Sequence, residues 1–184
     1  AAKRGTKVHG LVEELLSGTT IDVEDDEIAK HLMSFERFFK ENNMNVLKTE
    51  LFLWHEDVPW AGTPDIICEL NGRLSVIDLK TGNEYKTHEV QLNMYAELIK
   101  KTFGIDEIEM YGLYTKGKWI KEPNYKMKKV KPNNIMYSIY DVWEYLYTTR
   151  SKPWPKDKKK LDYHFSLAQD ILNKTKESKI MEQL

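Results

Sequence analysis

The chain has 184 residues, 41% of them apolar and 31% charged, with a net charge of −1 and one cysteine. That length supports one domain with a core of its own. The composition excludes an internal disulfide, a four-cysteine zinc or iron–sulfur site and a general polycation; without a long apolar run or visible signal peptide, no membrane span and an intracellular setting are expected.

Thr6 is placed to cap a first helix over residues 7–16, which ends at Ser17 and Gly18. Asp22, Asp25 and Asp26 precede a second helix and favour its N-terminus. Ile28, Leu32, Phe35 and Phe39 recur along it at helical spacing and predict its buried face, and Asn42-Asn43 ends it. Residues 46–54 read as a strand, followed by a loop containing Pro59 and Gly62. Residues 64–70 and 73–81 read as two more strands, joined by a type I′ turn at Asn71-Gly72. Residues 89–102 are helical in pattern, 109–114 form a strand, and 134–147 return to helix. Pro153 and Pro155 then break the chain, and residues 162–184 keep a loose helical period. The expected fold is α/β, a mixed β-sheet core flanked by helices. It occupies residues 1–150, with a C-terminal helical extension at 151–184 packed on the same domain.

Charge is spread unevenly. Residues 1–115 carry 12 Lys+Arg against 21 Asp+Glu, whereas residues 116–160 carry 13 against 4. The basic stretch also holds Trp119, Tyr125, Tyr137, Tyr140, Trp143, Tyr145, Tyr147 and Trp154. Cations among flat rings suit single-stranded nucleic acid, since phosphates pair with Lys and bases stack on aromatics. A solvated basic face over an aromatic core fits the same residues. On the first reading, Lys126, Lys128, Lys129 and Lys131 lie along a DNA path.

The turn fixes the most informative geometry. A two-residue turn at 71–72 pairs Leu70 with Arg73, and the same register sets Asp65 opposite Asp78. Opposed Cβ atoms lie about 4.5–5.5 Å apart. Lys80 follows Asp78 by two residues and shares its face. Ile66, Ile67, Val76, Ile77 and Leu79 surround these groups, so the hairpin is expected to be buried. Two opposed carboxylates there repel and are poorly solvated, and call for positive charge. Lys80 supplies part; a divalent metal would supply the rest. A structural ion-pair cluster is the other account. Metal, carboxylates and an ammonium group together suit phosphodiester hydrolysis.

These residues resemble the PD-(D/E)xK nuclease superfamily. Gly62-Thr63-Pro64-Asp65 and Ile77-Asp78-Leu79-Lys80 match its PD and DxK elements. Gln91-Leu92-Asn93-Met94-Tyr95 is similar to the QxxxY motif of the RecB-like branch, and Arg4 to His9 to that branch's N-terminal histidine motif. Within the branch the chain looks like the phage and mitochondrial exonucleases. The resemblance implies a restriction-endonuclease-like fold and a metal-dependent DNA exonuclease acting on single strands or duplex ends. It implies Mg²⁺ or Mn²⁺ held by His9, Asp65, Asp78 and the carbonyl of Leu79, with Lys80 as the catalytic lysine. Glu50 would help position water or a second metal, and Gln91 and Tyr95, one helical turn apart, would face the site and the DNA. The iron–sulfur subgroup of the branch needs four cysteines, so that cofactor is not expected here. A bacterial or phage-infected cytoplasm, or an organelle, would be the setting. A flap or junction endonuclease and a non-catalytic DNA-binding module of the same fold are the alternative functions. A purely structural role, with the basic aromatic stretch contacting another protein, is a third.

Overall fold

A computed structural model describes residues 2–149. The extension expected at 151–184, with Trp154, lies outside the described residues. The chain runs α1 (Ala2–Leu16), α2 (Asp26–Glu41), β1 (Met44–Thr49), β2 (Leu53–His55), β3 (Val58–Gly62), β4 (Ile66–Leu70), β5 (Arg73–Lys80), α3 (Lys86–Phe103), β6 (Glu109–Thr115), β7 (Tyr125–Val130) and α4 (Ile135–Thr148). This is a mixed α/β fold. Five strands form one sheet in the order β1-β4-β5-β6-β7, and β2 and β3 form a separate hairpin. All neighbours in the large sheet are antiparallel except β5 and β6, which α3 connects in parallel.

Alternation along the central strands divides the interior in two. Ile66, Cys68, Leu70, Ile77 and Leu79 face α1 and α2, where Val8, Val12, Phe35 and Phe38 complete a core. Ile67 and Val76 face the other way, toward Leu92, Ala96 and Ile99 of α3 and Leu53 of β2. On α4, Met136 is buried and Tyr137 meets Trp60 edge-on, while Ile135, Ile139, Val142, Trp143, Tyr145 and Leu146 are exposed. Among the described residues no helix is long and apolar enough to cross a membrane.

The turn at 71–72 has the required backbone, with φ of 52° at Asn71 and 80° at Gly72. Asn71 also ties the hairpin to the α2–β1 junction, donating its N–H to Asn43 O at 2.7 Å and accepting the Asn43 N–H at 3.1 Å. Several elements differ from the sequence expectation. Helix α1 begins at Ala2, so Thr6 lies inside it rather than capping it. Asp25 caps α2, its side chain accepting the Ile28 N–H at 3.0 Å, while Asp26 lies within the helix's first turn. Phe38 is fully buried and Phe39 is exposed, because α2 is rotated to bury His31 and Ser34 as well. Those two have partners across the sheet, Thr115 for His31 and the Lys116 carbonyl for Ser34. The strand expected over 46–54 is broken at Glu50, whose φ is 47°. The expected loop around Pro59 is instead strand β3, and β7 is a strand with no counterpart in the sequence reading.

Candidate active site

The site lies where one end of the β4–β5 hairpin meets α1 and α3. The ladder keeps the register that the turn dictates, from Leu70 opposite Arg73 to Ile66 opposite Ile77. Asp65 stands one residue before β4, just past the last paired position. Its carboxylate continues the pairing there, Oδ2 accepting the Leu79 N–H at 2.6 Å. The other oxygen, Oδ1, lies 3.2 Å from Nδ1 of His9 on α1. The backbone carbonyl of Asp65 accepts the Glu50 N–H at 3.0 Å, which anchors the left-handed break after β1. One ligating atom from each of His9, Glu50 and Asp65 falls within 4.8 Å of the others. Leu79 borders the small cavity that these three line. Glu50 therefore occupies the position in this tight group expected for Asp78.

Asp78 sits beside the group, only 1% exposed. Lys80 Nζ lies 2.6 Å from its Oδ2, so the two form a close, buried ion pair. Lys80 also donates to Gln91 Oε1 at 3.1 Å, and Gln91 Nε2 donates to the Tyr95 hydroxyl at 2.7 Å. Gln91 and Tyr95 thus touch Lys80 through one chain of contacts. Gly62, in the first motif, lets this ring approach: a Cβ there would lie 2.6 Å from a Tyr95 ring carbon.

The electrostatics show crowded negative charge. Burial, then the charge of Asp65, raises the Asp78 carboxyl above its ordinary range, with Lys80 opposing. Much of Glu50 is exposed, yet its carboxyl reaches the group, and partial burial followed by Asp65 pushes it up to about 7. For His9, burial is the largest influence and lowers the pKa, but the hydrogen bond and charge of Asp65 together outweigh it, so the imidazole is raised. The donor set of His9, Glu50 and Asp65 fits a divalent cation, since carboxylate oxygens and one imidazole suit Mg²⁺ or Mn²⁺.

The four lysines do not form one track. Lys126 and Lys128 point to the α3 side of β7, where both bind Glu84 and Lys128 also reaches Glu89 at 2.8 Å. Lys129 lies on the opposite face, bound to Glu109 and over the Tyr111 ring, and Lys131 follows the end of the strand. Hydrogen bonds from Lys126 and Lys128 hold the Glu84 carboxyl down to about 2. Nothing in the residue pattern marks Glu84 as this partner, because it and the lysines are 42 and 44 positions apart. His88, on the first turn of α3, is fixed against the Tyr114 hydroxyl at 3.0 Å. Among known proteins, no family profile and no curated protein matches the chain.

Proposed function

We propose that the chain is a metal-dependent DNA exonuclease of the PD-(D/E)xK type, cutting phosphodiester bonds on single strands or at duplex ends. The observation that carries this reading is the buried ion pair of Asp78 and Lys80 beside the His9, Glu50 and Asp65 group. His9, Glu50, Asp65 and Asp78 would hold Mg²⁺ or Mn²⁺. Such an ion, when bound, polarises a phosphoryl oxygen and makes hydroxide accessible at neutral pH. The chain's own residues do the positioning. Asp78 and Gln91 hold the Lys80 ammonium from two sides, and this fixed charge would stabilise negative charge growing on the phosphoryl group. Tyr95 holds Gln91 in turn, and Asp65 locks the strand end that carries Asp78.

Release of nucleotides from end-labelled DNA, in Mn²⁺ and in EDTA, tests the proposal. Asp78→Asn and Lys80→Ala should each slow digestion by about 10²-fold or more, the loss typical of removing a group that stabilises transition-state charge. Variants as fast as the parent would refute the assignment. A closed single-stranded circle should resist the protein; its cleavage would favour a flap or junction endonuclease.

A further inference from the structure

The loop from β6 to β7, residues 116–124, carries positive charge that the protein does not neutralise. Lys116, Lys118 and Lys121 are exposed, and no ion pair among the described residues uses them. The acid of this loop, Glu122, is held by Arg37 at 3.4 Å. Lys126, Lys128 and Lys129 of β7, by contrast, are all bound by glutamates. Between Lys118 and Lys121 the side chain of Ile120 is 99% exposed, so it rests on nothing.

Both flanks of Ile120 are anchored to α2. The Ser34 hydroxyl donates to the Lys116 carbonyl at 2.9 Å and accepts the Asn124 N–H at 3.2 Å, which closes the base of the loop. Gly117 packs so close to the helix that a Cβ on it would lie 2.5 Å from His31 Nε2. Trp119 donates its indole N–H to the Lys30 carbonyl at 3.2 Å, with the Lys30 ammonium over its ring, and Arg37 donates to the Pro123 carbonyl at 2.6 Å. Isolated apolar side chains are ordinary on a surface. Ile120 differs because its anchored neighbours hold it clear of that surface.

The loop starts at the candidate site. Lys80 pairs with Tyr114 in the β5–β6 ladder, and the next hydroxyl, that of Thr115, lies 3.5 Å from the Lys80 carbonyl. Ile120 follows Thr115 by five residues. A chain spans at most about 3.6 Å per residue, which puts the two Cα atoms within about 18 Å. At about 3.4 Å per stacked nucleotide, that distance is about five nucleotides of one strand.

We infer that Ile120 is a wedge that opens the end of a DNA duplex, with Lys118 and Lys121 on the phosphates beside it. Apolar side chains unstack base steps in this way where phosphate contacts hold the duplex against them. The inference rests on the nuclease reading and narrows its substrate to the duplex end, from which one strand would run to the His9, Glu50 and Asp65 group.

The test uses the full chain in EDTA and a blunt duplex with 2-aminopurine in its second base pair, whose fluorescence rises when the base unstacks. The parent should raise the signal about twofold or more, and Ile120→Ala should lose most of that rise. The side chain rests on nothing, so the variant should fold as the parent does. Ile120→Leu should keep the rise. Lys118→Ala with Lys121→Ala should weaken duplex binding and lower its salt dependence by about 0.9 per lysine. In Mn²⁺, the ratio of duplex to single-strand digestion should fall about tenfold in Ile120→Ala. No rise with the parent, an equal rise with Ile120→Ala, or a salt dependence unmoved by the two lysine changes would each overturn the inference. Digestion of DNA by a parent that gives no rise removes the wedge alone. A rise without digestion keeps the wedge and removes the nuclease.

Discussion

Glu50, Asp78 and His9 each take up protons more readily in the folded chain than in the unfolded one. Glu50 moves from an ordinary 4.5 to about 7, so between those values the folded state holds a proton that the unfolded state has released. Its effect on stability is therefore most favourable below 4.5 and declines as pH rises toward 7. His9, raised above 6.5, acts in the same sense: its contribution is complete below 6.5 and is lost as pH climbs through the folded value. Metal-free protein should thus melt at a lower temperature near pH 8 than near pH 5.5, and Glu50→Gln should flatten the decline. Protection by Mn²⁺ should grow over the same interval, as its ligands shed protons. Thermal scans in EDTA that show melting temperature climbing steadily to pH 8 would contradict this account. At this scale part of the candidate site was legible. The Asn71-Gly72 turn sets the β4–β5 register as far as Ile66 opposite Ile77, one residue short of Asp65 and Asp78, because strand pairing is periodic in two. The central place of Glu50 was not legible, since it depends on a left-handed backbone break inside an otherwise strand-like run.

Strand β7 shows how pattern can hide an element. Tyr125 and Met127 pack inward while Lys126 and Lys128 face α3, but Lys129 spoils the alternation and the stretch reads as a charge run. Its pairing beside β6 gives the lysines their division between two faces. Helix α2 misled in a different way. Phe39 lies on the apolar stripe, yet the buried face turns toward His31 and Ser34 because polar partners across the sheet satisfy them. On the nuclease proposal, the β7 arrangement has a consequence for DNA. Glu84 occupies two lysines on the α3 side of β7, so Glu84→Gln should tighten oligonucleotide binding. Each lysine freed for a phosphate should steepen the salt dependence by about 0.7 for single strands. Lys126→Ala with Lys128→Ala should have the opposite effect, and Lys129→Ala with Lys131→Ala should change little. Fluorescence anisotropy across a salt series reads all three; weaker binding by Glu84→Gln would overturn the scheme.

Across the molecule, the sheet separates two apolar interiors, and the candidate site occupies the rim where they meet. Element order was sufficient to give a mixed sheet covered by helices, since only such layers bury both faces of these central strands. The small β2–β3 hairpin escaped notice because Pro59 breaks a strand pattern in sequence yet sits harmlessly in a two-stranded ribbon. Phe38 is fully buried against Tyr125 and Phe35, far along α2 from the acids. Phe38→Ala should cost about 3–5 kcal/mol, read as an earlier urea midpoint. Digestion per folded molecule should stay at the parental level, and a loss of activity exceeding the loss of folded protein would show that the two interiors are coupled through the rim.

Asp65 has an architectural part besides the one proposed for it, since its carboxylate closes the open end of the hairpin by accepting the Leu79 N–H. An inactive form for trapping DNA on the protein is therefore best made elsewhere: removing Asp65 would unzip the scaffold along with the reaction, whereas Asp78→Asn keeps the frame that a trapped strand must rest against.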